Sequence, residues 1–253
     1  MERGIDMKKK LGALLLACLM MFTVAAVPAS AAATSPIVQV TAGNAQAPFD
    51  AVIYRPYTEI KGGFVFYPGA MVDYRDYGPL LTAIARQGYL IISVEFPLDF
   101  AFANPAACYP YMAKYPEIKH WFIGGHSLGG SICGVTASLD FKRFDGIVLF
   151  ASFLMDPAAF KDIPVLSIYG SNDGVLVKPM YELFKFNASG EVTGKQLTPK
   201  NQFTEVVIEG GNHAQFGDYG KQMGDNDATI SAEEQVSIAS EAVGNFFRTY
   251  LYL

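Results

Sequence analysis

The sequence is poor in the residues from which metal sites and nucleic-acid surfaces are built. Its 253 residues include three histidines, three cysteines and one tryptophan, without a Cys-x-x-Cys pair or a mixed His/Cys ligand spacing. Charged residues make up 17% of the chain, the formal net charge is −5, and no cluster of lysine and arginine follows the first ten residues. Nucleic acids are therefore excluded as partners, since binding them requires a basic surface. The sequence predicts neither a metal nor any other cofactor.

Apolar side chains are abundant, with 51% of the residues hydrophobic. This composition is typical of a compact globular protein with a large core, and the length fits a single α/β domain. No internal repeat, low-complexity tract or linker divides the chain, and nothing in it indicates an oligomeric state.

The first thirty residues differ from the rest and predict a secretory signal peptide. Three lysines at positions 8–10 precede an apolar run from Leu11 to Val27, and Ala29-Ser30-Ala31 has the small-x-small pattern that signal peptidase accepts. We therefore predict a signal peptide at residues 1–31 and a secreted, extracytoplasmic domain at residues 32–253. Cleavage removes four basic and two acidic residues, so the formal net charge of −5 becomes −7.

Two alternatives to cleavage after Ala31 stay open. Leu15-Leu16-Ala17-Cys18 resembles a lipoprotein signal that anchors the chain through Cys18, although apolar residues follow where a lipoprotein turns polar. An uncleaved membrane anchor is the second alternative, but the apolar run is short for a span of about 20 residues. After cleavage we expect no stable membrane insertion.

Two cysteines, Cys108 and Cys133, belong to the mature domain. An exported protein can pair such residues in a disulfide. Cys133, however, falls on the face of a helix that we expect to be buried, and a well-filled core does not need the bridge. We therefore favour two free, buried thiols.

Strand-like and helix-like segments alternate along the mature chain, which predicts an α/β fold with a mostly parallel central sheet covered by helices on both faces. Continuous apolar runs such as Leu90–Val94 are typical of strands buried on both sides. Strands are predicted at residues 37–41, 51–54, 64–67, 90–94, 118–123, 146–150, 165–169 and 204–208. Helices are predicted at residues 77–87, 105–114 and 128–139, and from a capping box at 231–234 to about 249. The last helix has an apolar stripe that we expect to pack onto the sheet, formed by Val236, Ile238, Ala242, Phe246 and Phe247.

One five-residue motif carries most of the functional information. Gly125-His126-Ser127-Leu128-Gly129 matches Gly-x-Ser-x-Gly, and it lies between an apolar strand and a helix, as a nucleophile elbow requires. A tight strand-to-helix turn leaves room for little but glycine around the serine. The helix N-terminus also directs backbone N–H groups at charge that develops near Ser127. A simple turn with serine as a helix N-cap is the non-catalytic interpretation.

A nucleophilic serine needs a base, and the three histidines can be compared by position. His126 is part of the elbow, where its side chain cannot fold back onto the adjacent Ser127 hydroxyl. His120 comes near the start of the strand that leads to the elbow, at the opposite end of the sheet. His213 follows the last strand in a glycine-flanked loop, and loops at the carboxyl ends of strands line the site in open α/β sheets. His213 is therefore the predicted base.

Three further stretches accompany the elbow: Tyr67-Pro68-Gly69-Ala70, residues 169–174 with the sequence Tyr-Gly-Ser-Asn-Asp-Gly, and Gly210-Gly211-Asn212-His213. With them, the chain from about residue 50 onward resembles an α/β hydrolase of the small lidless branch, which includes dienelactone-hydrolase-like enzymes and esterases. The resemblance implies the α/β-hydrolase fold and the chain order serine, acid, histidine. The segment between the strands ending at 150 and beginning at 165 is too short for a lid domain.

The resemblance also implies roles for individual residues. Asp173, after the penultimate strand, corresponds to the acid that orients the histidine; Asp156, after the preceding strand, is the alternative because some relatives carry the acid there. The oxyanion hole would take one backbone N–H from Leu128 and a second from Ala70 or its neighbour Met71. Many relatives have His-Gly where this chain has Pro68-Gly69, which puts the geometry of the hole in doubt.

The substrate site is less well defined by the sequence. Met71, Phe153, Leu154 and Phe216 are candidates for lining an apolar acyl site, although ordinary packing explains them equally well. Three tyrosines are candidates for the mouth of the site, namely Tyr74, Tyr77 and Tyr219. Asp225 and Asp227 are spaced as in a calcium loop, but the required glycine and final glutamate are missing, so we expect a solvated acidic loop.

These observations favour a serine hydrolase that cleaves a carboxylic ester, or a related acyl bond, of a small-molecule substrate. Thioesters, lactones and acyl transfer to alcohols would use the same groups. Two other classes stay open: a non-catalytic binding protein on this fold, since fold alone does not establish activity, and an extracellular serine peptidase. The peptidase would usually carry an added cap or propeller, and the binding protein would usually have lost Ser127 or His213.

Overall fold

A computed structural model describes residues 36–45, 47–140, 142–155, 163–189 and 203–251 of the chain. The predicted signal peptide, including Cys18, lies outside them, as does the alternative acid Asp156. Those predictions, and the boundary between residues 31 and 32, stay predictions.

The described chain forms an eight-stranded sheet in the order β1-β2-β4-β3-β5-β6-β7-β8. β2 runs antiparallel to both of its neighbours, β1 and β4, and every other pair is parallel. The strands are β1 (Ile37–Thr41), β2 (Ala51–Arg55), β3 (Gly62–Tyr67), β4 (Tyr89–Val94), β5 (Trp121–His126), β6 (Gly146–Phe150), β7 (Val165–Gly170) and β8 (Phe203–Ile208). The carboxyl ends of β3 and of β5 to β8 therefore meet along one edge of the sheet.

Five α-helices accompany the strands in the described residues: α1 (Gly78–Ala85), α2 (Tyr109–Met112), α3 (Leu128–Leu139), α4 (Lys178–Ser189) and α5 (Ala232–Tyr250). α3 lies against β3, β5 and β6, whereas α1 and α5 pack against each other. Short 3₁₀ turns cover Pro97–Asp99, Ala101–Ala103 and Ala214–Phe216. None of the helices in this part of the chain has the length and apolarity that spanning a membrane requires.

The core is built on the central strands. Every residue of β3, β4, β5, β6 and β7 is buried, so both faces of these strands are covered, as their continuous apolar sequences predict. Aromatic rings fill much of the space between sheet and helix; Phe122 of β5 stacks on Phe247 of α5 with ring centroids 4.1 Å apart. The edge strand β1 is mostly exposed. The predicted fold class is confirmed, and the described residues contain no lid domain.

Several predicted elements differ from the structure. The helix predicted over 105–114 is a single turn, α2, because the residues before Cys108 form turns instead of a continuous helix. The strand predicted to begin at residue 118 begins at Trp121. The helix α4 is not among the predicted elements.

The C-terminal helix was predicted with a somewhat different buried face. Ser231 does cap α5, accepting a hydrogen bond from the Glu234 backbone N–H at 3.1 Å. The predicted apolar stripe included Ile238, which is 38% exposed. The buried face instead consists of Gln235, Ala239, Ser240, Val243, Gly244, Phe246 and Phe247.

Cys108 and Cys133 are free and buried, as predicted. Burial raises the pKa of the Cys108 thiol to about 11. It also raises the pKa of Cys133 well above its usual value, with a smaller contribution from Cys108. Both thiols therefore stay protonated at neutral pH.

Candidate active site

Ser127 occupies a strained turn between β5 and α3. Its backbone has φ 51° and ψ −126°, a left-handed conformation that a residue with a side chain rarely adopts. The surroundings hold this conformation: the Ser127 N–H donates to the Phe150 carbonyl at 2.9 Å, and the Ser152 hydroxyl donates to the Ser127 carbonyl at 2.6 Å. The half-buried serine is thereby presented at the carboxyl edge of the sheet, as the elbow motif predicts.

The glycines of the motif permit close contact between the elbow and the end of β3. A Cβ atom on Gly129 would lie 2.1 Å from the Pro68 carbonyl oxygen, and one on Gly125 would lie 2.5 Å from that of Tyr67. Both distances are far below a van der Waals contact. The atoms that such a Cβ atom would meet belong to the backbone of the loop, which cannot rotate away as a side chain can. The two glycines therefore allow the serine to approach the loop that follows β3.

Asp173 and His213 form a buried hydrogen-bonded pair. His213 Nδ1 lies 2.9 Å from Asp173 Oδ2, and their side chains are 1% and 0% exposed. The other carboxylate oxygen, Oδ1, accepts hydrogen bonds from the backbone N–H groups of Val175 at 2.8 Å and Leu176 at 2.7 Å. Asp173 thus acts as an acceptor in all three bonds, so the proton between it and His213 belongs to Nδ1. The second ring nitrogen, Nε2, is left as an acceptor.

Nε2 of His213 is buried and has no hydrogen-bond partner in the described part of the chain. Ser127 does not hydrogen-bond to it in this structure. Catalytic hydrogen bonds are often long or poorly aligned before substrate binds, and an unpaired buried acceptor is otherwise costly. The structure thus brings the predicted acid and base together and leaves the base with a free acceptor. The catalytic roles of the three residues stay predictions.

His126 connects the elbow to the base through its ring. Its Nε2 lies 3.1 Å from the carbonyl oxygen of His213, and its Nδ1 lies 3.0 Å from the Tyr77 hydroxyl. A carbonyl oxygen only accepts, so Nε2 carries the proton and Nδ1 accepts from Tyr77. The Tyr77 oxygen in turn accepts the Gly69 N–H at 2.9 Å. Burial, followed by the nearby His213, holds the pKa of His126 well below its usual value, which keeps the ring neutral in this arrangement.

Two backbone N–H groups beside the serine are available to stabilise an anion. Those of Leu128 and Ala70 have no acceptor in the described residues, whereas Met71 donates to the Asp99 carbonyl at 3.0 Å. Of the two candidates after β3, Ala70 is therefore the better oxyanion donor. Gly69 lies against the serine, since a Cβ atom built on it would be 3.6 Å from Ser127 Cβ. Tyr77 and His126 support this loop in place of the missing His-Gly motif.

The residues predicted to contact substrate differ in their burial. Phe216 is completely buried, with its ring between those of His126 and Phe150 at centroid distances of 5.8 and 5.6 Å. It is part of the core because the 3₁₀ turn after His213 directs it inward. Leu154 is also buried. Phe153 is half-buried and Met71 is 75% exposed, so these two stay candidates.

The predicted tyrosine frame of the mouth is also largely wrong. Tyr77 is fully buried beneath His126, and Tyr74 is buried as well, with its backbone carbonyl accepting the Ser93 hydroxyl. Tyr219 is only half-buried and bonds to Gln222 at 3.1 Å. Burial raises the pKa of Tyr77 well above its usual value, consistent with a structural hydroxyl.

The loop expected to be acidic and solvated is only partly so. Asp227 is exposed and paired with exposed Lys221, but Asp225 accepts backbone hydrogen bonds next to Asp173 and His213. Gln235 of α5 was missed as well: its buried amide bonds to both the N–H and the carbonyl of Asn212, at 2.9 and 2.8 Å. No sequence motif marks Gln235, and the calcium-loop spacing of Asp225 and Asp227 does not indicate these bonds. No group of three potential metal ligands occurs in the described residues.

Comparisons with known proteins agree with this architecture. The family model described as the alpha/beta hydrolase family matches residues 63–237, so the chain belongs to the alpha/beta hydrolase family. A search against curated proteins gave no match. The central strands, the elbow and the candidate base all lie within the matched region.

Solved structures resemble the chain in fold at low sequence identity. A dienelactone hydrolase from Anabaena variabilis is 13% identical with a TM-score of 0.62, covering 85% of this chain and 99% of its own. The dienelactone hydrolase-like promiscuous phosphotriesterase P91 from metagenomic libraries is 12% identical with a TM-score of 0.64, covering 85% and 99%. Carboxyl esterase 2 from the fungus Tuber melanosporum is 12% identical with a TM-score of 0.60, covering 86% and 89%.

Proposed function

We propose that the protein is a serine esterase that hydrolyses a carboxylic ester of a small molecule through Ser127, His213 and Asp173. The observation that carries the proposal is the buried Asp173–His213 pair. Nε2 of His213 has no hydrogen-bond partner among the described residues. The His213 carbonyl accepts a hydrogen bond from His126, the residue before Ser127 in the strained elbow. The similarity to a dienelactone hydrolase and a carboxyl esterase supports the same reaction class.

In the proposed reaction, the Ser127 hydroxyl attacks the ester carbonyl and His213 Nε2 takes its proton. The N–H groups of Leu128 and Ala70 stabilise the oxyanion of the tetrahedral intermediate, each by about 3 kcal/mol. The intermediate collapses to an acyl-enzyme as His213 returns the proton to the leaving alcohol. Water then attacks the acyl group with His213 as base, and the carboxylic acid leaves Ser127 free. No step requires a cofactor.

The test uses p-nitrophenyl acetate and a fluorophosphonate probe with three proteins. The wild type should release p-nitrophenol and become labelled, whereas Ser127→Ala should do neither. Ser138→Ala is the matched control, because this serine lies on the same helix and bonds only to the Val135 carbonyl; it should behave as wild type. Unlabelled and inactive wild type would contradict the proposal and favour a non-catalytic binding protein.

Two further assays separate the remaining reaction classes. Cleavage of peptide amides at rates near those of esters would favour a peptidase, and preferential formation of a new ester in the presence of an alcohol would favour an acyltransferase. Acyl groups from acetyl to decanoyl would then define the substrate.

We also propose that the enzyme is exported, on the basis of the signal-like residues 1–31. Expression of the full chain should yield an extracytoplasmic protein that begins near residue 32, as read by mass spectrometry. Lipid on Cys18 would support the anchored alternative, and retention of an intact chain in the cytoplasm would contradict export.

A further inference from the structure

The residues that directly follow the acid and the base bond to one carboxylate. Gly174, next to Asp173, donates its N–H to Asp225 Oδ1 at 3.0 Å. Ala214, next to His213, donates its N–H to Asp225 Oδ2 at 2.9 Å. Asp225 belongs to the segment between the 3₁₀ turn that ends at Phe216 and helix α5. A single side chain thus joins the two loops that carry the catalytic pair.

The residues that directly precede the acid and the base bond to the same segment. The side-chain amide of Asn172 donates to the Asp227 carbonyl at 3.2 Å, and that of Asn212 donates to the Asn226 carbonyl at 2.9 Å. Acid and base are therefore each flanked, before and after, by a hydrogen bond to the three residues 225–227. We call these three residues the bridging segment.

Polar bonds, with little apolar packing, hold the bridging segment in place. Met223, just before it, is 95% exposed, and Asp227 is exposed as well. A cavity of about 820 Å³ lies beside the segment, lined by residues that include Asn212, Ala214 and Asp225. The two loops also bond directly to each other, since the Asn172 N–H donates to the Gly211 carbonyl at 2.8 Å and the Gly210 N–H donates to the Ser171 hydroxyl at 2.8 Å. Asp225 adds a second connection between them on the side of the bridging segment, next to the acid and the base themselves. Hydrogen bonds to a carboxylate are also stronger than those between neutral groups.

Resting on the esterase activity proposed above, we propose that Asp225 is a positioning residue that holds the acid and base loops at the separation required for the Asp173–His213 hydrogen bond. It does not touch the reacting atoms. Catalytic groups must be held to a fraction of an ångström by the residues around them, and a displacement of about 1 Å costs about 100-fold in rate. Asp225 acts through the backbone of Gly174 and Ala214.

The principal test compares Asp225→Asn with Asp227→Asn. Both changes remove one negative charge from the bridging segment, but only the first places an amide NH₂ opposite a backbone N–H. For Asp225→Asn we expect kcat to fall about 10- to 100-fold with little change in KM. Asp227→Asn loses only its surface pair with Lys221 and should keep wild-type kcat. Equal kcat values for the two variants would overturn the proposal.

A spectroscopic measurement tests the positioning without reference to turnover. The Nδ1 proton between His213 and Asp173 should give a downfield proton NMR resonance in the wild type and in Asp227→Asn. In folded Asp225→Asn this resonance should shift or broaden, and an unchanged resonance would contradict the proposal. Circular dichroism and the urea midpoint establish that each variant is folded.

A second variant keeps the test available if Asp225→Asn does not fold. Asn172→Ala removes one hydrogen bond to the bridging segment and should also lower kcat, with KM unchanged. Wild-type kcat in that variant would then overturn the proposal.

A double-mutant cycle separates this inference from the esterase proposal. If Asp225 acts through the acid–base pair, Asp225→Asn should lower kcat little further in an Asp173→Asn background. A full additional loss there would show that Asp225 acts by another route. If wild type is inactive, the esterase proposal itself fails; if Ser127→Ala is inactive but Asp225→Asn has wild-type kcat, only the positioning role fails.

Discussion

The ring of His126 donates from Nε2 to the carbonyl oxygen of His213 across 3.1 Å. The residue before the candidate nucleophile thus holds the backbone of the candidate base, and its other nitrogen is held by Tyr77. The same tyrosine hydroxyl accepts the Gly69 N–H. Elbow, base loop and oxyanion loop are therefore joined by one chain of buried hydrogen bonds, which makes the members of that chain informative sites for mutation.

Tyr77→Phe should lower both stability and activity. The change leaves the Gly69 N–H without its acceptor and His126 Nδ1 without its donor, so the free energy of unfolding should fall by about 1–3 kcal/mol. Because Gly69 precedes Ala70, kcat should fall as well. Urea unfolding and ester turnover provide the measurements.

Tyr219→Phe is the matched control for this prediction. Its ring centroid lies 6.3 Å from that of Tyr77, but among the described residues its hydroxyl bonds only to Gln222. We expect a loss of no more than about 1 kcal/mol and a normal kcat. Equal effects of the two substitutions would contradict a specific role for the Tyr77 hydroxyl.

The loss of free energy of unfolding at acidic pH should depend on His126. Its pKa in the folded protein lies well below the ordinary value of 6.5, chiefly because of burial. The unfolded chain therefore binds more protons below pH 6.5, and stability is lost as pH falls from there toward the folded-state pKa. The slope reaches about 1.4 kcal/mol per pH unit for one group.

His126→Gln should remove this contribution while keeping a donor at the position of Nε2. Urea unfolding at pH 7 and pH 5 should show a smaller loss of stability on acidification in His126→Gln than in wild type. His120→Gln, at the exposed pair with Asp145, serves as the control. Parallel pH dependence of wild type and His126→Gln would show that His126 does not titrate differently on folding.

Asp173→Asn should lower kcat by roughly 10³- to 10⁴-fold. The backbone N–H groups of Val175 and Leu176 keep the amide oxygen on the Oδ1 side, which turns the NH₂ group toward His213. Nδ1 then becomes an acceptor, the ring proton moves to Nε2, and the base can no longer take the serine proton. Turnover of p-nitrophenyl acetate measures the effect.

The chain offers a second His–Asp pair as the control for that experiment. His120 directly precedes β5 and Asp145 directly precedes β6. His120 Nδ1 lies 3.2 Å from Asp145 Oδ2, and both side chains are partly exposed. Asp145→Asn should leave kcat unchanged. A larger loss from Asp156→Asn than from Asp173→Asn would instead identify Asp156 as the acid.

Ser127→Gly should be more stable than Ser127→Ala, although both should be inactive. The φ of 51° and ψ of −126° are readily adopted by glycine and strained for any residue with a Cβ atom. We expect the free energy of unfolding of Ser127→Gly to be about 1–3 kcal/mol higher than that of Ser127→Ala. Urea denaturation of the two variants measures this difference, and equal stability would mean that the elbow is not strained.

The sequence was sufficient to predict the sheet, the elbow and the loops that carry the candidate acid and base. The strands and their order could be predicted because hydrophobic periodicity is a property of neighbouring residues. The site could be located because parallel strands bring their carboxyl ends to one edge of the sheet. Asp173 and His213 meet for that reason. The fold was predicted better than the details of the site.

The supporting residues were not predictable in the same way. Asp225, Gln235 and His126 act through one or two hydrogen bonds to backbone groups of other segments, and such bonds depend on the exact path of loops. The burial of Phe216 was not predictable either, because the direction of its ring depends on one 3₁₀ turn. Hydrophobicity alone does not separate these outcomes.

Because Cys108 and Cys133 are buried, their chemical reactivity can measure how often the folded domain opens locally. A thiol reacts as the thiolate, and both groups are inaccessible and hard to deprotonate in the folded state. In a chain that begins after residue 31, alkylation should therefore proceed only through molecules that have transiently unfolded around α2 or α3. The rate of mass increase under native conditions then measures how often those helices leave the sheet.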